Sequence, residues 1–208
     1  MDTVALDSYW IDYRGNNFMS KRLFIALPVE GRTQKLLKQN LNKAKKSLDS
    51  NLKWVSGENL HLTLKFLGDT KIEKIEKIES TLSNTCSHYN TLNIFYNHFS
   101  AFPSTDYPKV LFFGLNGDIK RLKNLQSKLE DSLSEIGFDK ENRKYTPHLT
   151  FARTRKSTDI NKLKNEYNNF INKNDLRVFQ KTDKVSLIES KLYKSGPVYE
   201  EIFSINLT

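Results

Sequence analysis

Two matched tetrapeptides, His61-Leu62-Thr63-Leu64 and His148-Leu149-Thr150-Phe151, bring together the residue types in this chain most able to do chemistry as a set. Each lies in an apolar run that reads as a β-strand. Side chains alternate faces along a strand, so each His projects with its Thr while Leu62, Leu64, Leu149 and Phe151 project the other way. Two imidazoles and two hydroxyls meeting in one cleft suit a reaction at a phosphate that needs one proton taken and another given. Histidine titrates near neutrality, so a bare ring can act as base while its protonated partner acts as acid. Threonine hydroxyls can donate to the non-bridging oxygens, where charge is held in the transition state. The symmetry of the motifs leaves open which ring is the acid and which the base.

The elements around the motifs alternate. Apolar periodicity predicts strands at 22–27, 52–55, 61–67, 91–99, 110–115, 148–152, 176–180, 184–189 and 200–206. Helical spacing marks Leu37, Leu41, Ala44 and Leu48, then Ile72, Ile75, Ile78 and Leu82. It also marks Leu122, Leu125, Leu129, Leu133 and Ile136, a helix ended by Gly137, and Ile160, Leu163, Tyr167 and Phe170. These stripes read as core. Each HLT strand is expected to turn into a helix, through Gly68-Asp69-Thr70 in one case and through 154–158 in the other. The expected architecture is α+β, two similar halves facing each other across a groove, each contributing one His-Thr pair.

With 208 residues and 38% hydrophobic content the chain can bury a real core. Residues 1–18 have no clear period and precede Met19. They read as an N-terminal extension, disordered or the product of an early translation start, ahead of one bilobed domain at 19–208. The formal charge of +9 favours anionic partners such as nucleic acid, although the basic residues are scattered and form no distinct arm. A single cysteine, Cys86, excludes an internal disulfide framework and any Cys-based zinc site, and fits a reducing, cytoplasmic setting. No segment reads as a membrane anchor or secretory signal.

Several stretches carry a family resemblance: Arg22-Leu23-Phe24-Ile25-Ala26-Leu27, then Lys53-Trp54-Val55 leading to Asn59-Leu60-His61-Leu62-Thr63-Leu64-Lys65-Phe66-Leu67-Gly68, then Pro147-His148-Leu149-Thr150-Phe151-Ala152-Arg153. The tail Leu187-Ile188-Glu189-Ser190, followed by Gly196 and Tyr199, extends it. Together they closely resemble the two-histidine (2H) phosphoesterase superfamily, and within it the LigT-like RNA 2′,3′-cyclic phosphodiesterases, historically called 2′-5′ RNA ligases. The resemblance implies a bilobed, pseudo-symmetric α+β fold with an antiparallel sheet and helices in each lobe and the HxT motifs lining a central cleft. It implies hydrolysis of a 2′,3′-cyclic phosphate at an RNA end to a 2′-phosphate without a metal or cofactor. By motif position, His61 would be the proton donor, His148 the proton acceptor, and Thr63 and Thr150 would bind the phosphate oxygens. RNA ends or nucleotide 2′,3′-cyclic phosphates are the implied partners, for a monomer with no obligate protein partner.

Other residues stand beside the motifs as weaker candidates. Phe112 stands where relatives often carry Trp, so it is a candidate for stacking on a base, against a plain core role. Arg153 and Tyr145 flank the second motif and could reach phosphate, but regular strand parity would send both away from His148. Lys65 shares parity with His61 and Thr63 and reads as solvent-facing. His88 and His98 lack a matching Thr and read as surface or packing residues, and Cys86 lacks activating neighbours. Neither motif adjoins an HxH, an HExxH or an Asp/Glu cluster, so no metal ligand set is indicated. The eight glycines form no phosphate-binding loop, so ATP is not expected. Two alternatives stay open: a phosphodiesterase for another cyclic nucleotide or ADP-ribose cyclic phosphate, and an RNA-binding module without catalysis. The natural RNA, its base preference and whether ligation occurs in the cell are beyond what the residues specify.

Overall fold

All four expected helices form, each as an apolar stripe buried against a sheet. The computed structural model describes residues 9–11, 17–48, 50–194 and 196–208. In chain order the elements are β1 (Tyr9–Ile11), β2 (Asn17–Pro28), α1 (Gly31–Ser47), β3 (Leu52–Trp54), β4 (His61–Lys71), α2 (Ile75–Cys86), β5 (Leu92–Ser104), β6 (Tyr107–Gly117), α3 (Ile119–Glu135), β7 (Leu149–Thr154), α4 (Ile160–Lys173), β8 (Val178–Thr182), β9 (Lys184–Tyr193) and β10 (Gly196–Asn206). Helix ends follow local chemistry. The Asp159 carboxylate accepts from the backbone N–H groups of Asn161 and Lys162 to cap α4. Gly137, at φ +86°, ends α3, with the Phe138 N–H on the Leu133 carbonyl and the Gly137 N–H on that of Ser134.

The strands form two five-stranded sheets, and every pairing is antiparallel. In the first, β4, β2, β9 and β10 lie side by side and β1 pairs with the start of β2. The second has the order β3-β7-β6-β5-β8. Nine of these ten strands coincide with expected ones. The tenth, β1, lies within the segment read as an extension, and pairs Tyr9–Ile11 with residues 17–19. Residues 1–8 and 12–16, on which the rest of that reading falls, lie outside the described residues.

The halves are interleaved. β3, from the first half, joins the second sheet, and β9 and β10, after the second half, complete the first. Helices α1 and α4 pack on the second sheet, α2 and α3 on the first, so the helix following β2 and the helix following β6 each cross to the opposite sheet. One contiguous apolar core therefore runs under both, from Leu23, Ile25 and Leu187 to Leu111, Phe113 and Phe151. A much smaller cluster of Phe24, Ala26 and Ile188, with Tyr199 packed against it, lies on the other face of the first sheet.

Candidate active site

The first motif occupies the start of β4, opposite the end of β2. Ala26 pairs with Thr63 but Ile25 pairs with Lys65, so Leu64 is an extra residue, a β-bulge. The second motif repeats this at the same position. Phe112 pairs with Thr150 but Leu111 pairs with Ala152, which leaves Phe151 extra on β7. In both copies the residue after HLT thus stays buried without using up a step of the alternation.

Each bulge inverts the parity of the residues directly after it. Ala152 turns into the core and Arg153 emerges on the face that carries His148 and Thr150, contrary to the expectation for a regular strand. On β4, Lys65 turns inward and is 6% exposed, not solvent-facing as expected, and Phe66 emerges in the position that Arg153 holds in the other copy. The Lys65 ammonium is neutralised by Glu130 of α3 and donates to the Asp139 carbonyl at 2.8 Å. Phe66 is 71% exposed, with its ring 6.1 Å from that of Phe24. β4 also runs on to Lys71, so Gly68-Asp69-Thr70 is strand and not a turn; a second bulge at Leu67, beside left-handed Gly68 at φ +70°, bends it instead.

Each imidazole is held in the same way. His61 donates from Nδ1 to the carbonyl of Asn59 at 2.7 Å, and His148 from Nδ1 to the carbonyl of Thr146 at 2.8 Å. A carbonyl only accepts, so in each neutral ring Nε2 carries the free lone pair. Aromatic rings pack against both: Phe24 and Tyr199 lie 4.8 and 5.1 Å from His61, and Phe102 and Phe112 lie 5.0 and 5.4 Å from His148. Of these, only Phe112 stands out in the sequence as a site candidate. Phe24 carries a signal there, an aromatic on the face of its strand opposite Leu23 and Ile25.

The motifs are close enough to feel each other's charge. Burial pushes the His61 pKa below 6.5, against the Asn59 carbonyl, which raises it, and the positive charge of His148 lowers it further. Burial likewise lowers His148, against the Thr146 carbonyl, and the Arg153 guanidinium adds to the lowering. The charge of Arg153 is also felt at the Tyr199 phenol, which packs on His61. β4 and β7 approach directly. One polar tie reaches from the approach to β7 across to β4 of the first sheet, the Tyr145 hydroxyl donating to the Thr63 carbonyl at 2.9 Å, while the chain entering the first motif is anchored to the second sheet by β3 pairing with β7 and by the Val55 N–H donating to the Phe151 carbonyl at 2.9 Å. Tyr145 therefore braces backbone and does not point to a substrate.

The structure brings His61, Thr63, His148, Thr150 and Arg153 toward one another, with Phe112, 5% exposed, as a wall against His148. Cys86 is buried in the core, which pushes its thiol up to about 12 and leaves it inert near neutrality. His88 is exposed on the surface away from the motifs, and His98 lies over Gly114. Among the described residues no group of three or more His, Cys, Asp or Glu is arranged to hold a metal ion. No described helix is long and apolar enough to cross a membrane.

Comparison with known proteins points the same way as this geometry. Residues 33–112 and 114–199 match the family described as LigT like Phosphoesterase. A Methanothermobacter thermautotrophicus protein named RNA 2′,3′-cyclic phosphodiesterase is 33% identical over 160 residues, which cover 76% of this chain and 83% of that protein. A protein of the same name from Methanocaldococcus jannaschii is 30% identical over 182 residues, 87% of this chain and 98% of its own. Among solved structures, E. coli LigT complexed with 3′-AMP superposes with a TM-score of 0.72 at 18% identity, covering 91% of this chain and 99% of that one. A Thermus thermophilus protein, TT0787, superposes with a TM-score of 0.72 at 19% identity, covering 89% and 97%. At these identities the two structures speak to the fold.

Proposed function

The chain belongs to the LigT-like phosphoesterase family, and from that premise we propose that it opens 2′,3′-cyclic phosphate ends of RNA to 2′-phosphomonoesters by metal-independent acid–base catalysis between His61 and His148. The observation that carries this reading is the matched locking of both rings: each Nδ1 is spent on a backbone carbonyl two residues back, so each leaves one nitrogen, Nε2, for proton transfer. In the reaction, His148 takes a proton from water as its oxygen bonds to phosphorus. The bond from phosphorus to the 3′ oxygen breaks, and His61 gives its proton to that oxygen. The phosphate stays on the 2′ oxygen, and the two rings end with their protonation states exchanged.

Thr63 and Thr150 donate to the non-bridging oxygens, and Arg153 adds positive charge where the phosphate sits. With a 5′-hydroxyl in place of water, the same two rings form a 2′-5′ bond, the ligation the family was once named for. Both motifs come from one chain, so the site needs no second copy, and a monomer acting on RNA in the cytoplasm suffices.

The test is product analysis on an RNA ending in a 2′,3′-cyclic phosphate, incubated with the protein in excess chelator. A 2′-phosphate formed at an undiminished rate is expected. A 3′-phosphate product, or activity lost to the chelator, contradicts the assignment.

A further inference from the structure

Beside His148 the second sheet carries a pocket of about 500 Å³. One end is walled by Phe102 and Phe112, whose rings touch His148, and by Thr146 and Pro147, which lead into it. The other end holds His98, Gly114 and Lys123. We propose that this pocket binds the phosphodiester on the 5′ side of the reacting nucleoside, with His98 and Lys123 as its anion-holding groups, so that the site is built for a strand and not for a cyclic mononucleotide alone. The proposal rests on the reaction assigned above and adds the residues that read its substrate's chain.

Register supplies the distance. Ser100, Phe112 and Thr150 form one row across the sheet, and His98 pairs with Gly114 in the next row on the same face. Two residues along β6, about 7 Å, and one strand spacing, about 5 Å, separate Gly114, over which the His98 ring lies, from Thr150, and the diagonal of roughly 8 Å is what one nucleotide step and a side chain's reach cover. A phosphate between the two motifs therefore leaves its neighbour on the strand beside His98.

The imidazole is placed for this as an imidazolium, whose Nε2–H donates to the phosphate while Nδ1–H stays on Asn97. The bulge at Asn97 brings His98 onto the pocket face, Nδ1 donates to the Asn97 side-chain oxygen at 2.9 Å, and the ring lies so close over Gly114 that a Cβ there would fall 2.0 Å from Nε2. Only glycine accommodates the ring in this position. Among the described residues lining the pocket none is a carboxylate. The corresponding face of the first sheet, by contrast, carries Glu201, which is opposite Ile188 and bound to Ser186 at 2.6 Å and Lys184 at 3.1 Å.

Two substrates test the proposal: a nucleoside 2′,3′-cyclic phosphate with a 5′-hydroxyl, and the same compound with a 5′-phosphate. Charge-assisted contacts to one phosphate predict a kcat/KM ratio of roughly tenfold or more in favour of the 5′-phosphorylated compound, falling toward one in the double variant His98→Ala/Lys123→Ala. Gly114→Ala, which evicts the ring but keeps the histidine, is expected to lower the ratio as well. A ratio near one in the wild type, or one that survives in the double variant, overturns the proposal. If neither compound is turned over, the assigned reaction fails separately. The Kd ratio between a nucleoside 3′-phosphate and its 3′,5′-bisphosphate, measured by calorimetry on the same proteins, then decides the subsite by the same criteria.

Discussion

The Tyr145 hydroxyl donates a 2.9 Å hydrogen bond to the backbone carbonyl of Thr63. Tyr145 stands three residues before His148 and Thr63 two after His61, so the bond fixes the second motif's approach segment to the strand of the first. The motifs belong to strands of different sheets, β4 and the entry to β7, and this tie holds one against the other.

Tyr145→Phe keeps the ring and removes only this tie. An unfolding loss of about 1 kcal/mol is expected. The loss in kcat should be larger in proportion, about tenfold or more, because a misplacement of 1 Å costs on the order of 10²-fold. Urea titration and steady-state kinetics on one preparation check both. Wild-type kcat in this variant would mean that each sheet positions its motif unaided.

Burial lowers the pKa of both histidines in the free protein. The singly protonated pair, which kcat/KM samples, is then most populated below pH 6.5, while a bound phosphate anion favours imidazolium and moves the basic limb of kcat upward. Arg153→Gln removes a cation that disfavours protonation of His148, so the acid limb of kcat/KM should move to higher pH. Stability follows the same sign: the folded site prefers bare rings and the unfolded chain takes protons near 6.5, so this contribution is present above that value and is lost as pH falls below it. A pH series of kcat/KM and thermal melts reads these shifts. An acid limb unmoved by Arg153→Gln would remove Arg153 from the site.

Lys65 is buried on Glu130, which also accepts from Gln126 and from the Glu141 N–H. Glu130→Ala leaves the ammonium buried without its carboxylate, and a loss of roughly 3–5 kcal/mol is expected. Lys65→Met/Glu130→Leu, which removes both charges, should be closer to wild type. Denaturant melts compare the two; equal losses would show that packing, not charge, sets the cost.

Most of the fold was legible because helices and strands announce themselves through local periodicity: the stripe Leu122, Leu125, Leu129 and Leu133 is buried in α3 as expected. Pairing was not legible, since nothing local tells β3 to leave its own half for the other sheet. The duplicated histidines were visible as a repeat. Arg153 and Lys65 face the opposite way from a regular alternation for one physical reason, that a bulge adds a residue without changing the hydrophobic pattern. Leu64 and Phe151 look like ordinary members of an alternation that they in fact interrupt.

The central claim gives His61 and His148 different jobs in one proton exchange, and a leaving-group substitution measures this most directly. A cyclic phosphate carrying sulfur in place of the 3′ oxygen departs with little need of protonation. On the oxygen substrate His61→Ala and His148→Ala should each lose on the order of 10²–10⁴-fold in kcat. On the sulfur substrate the His61→Ala loss should largely disappear while the His148→Ala loss remains. Equal losses in both variants on both substrates, or near-wild-type rates in either variant on the oxygen substrate, would contradict the account.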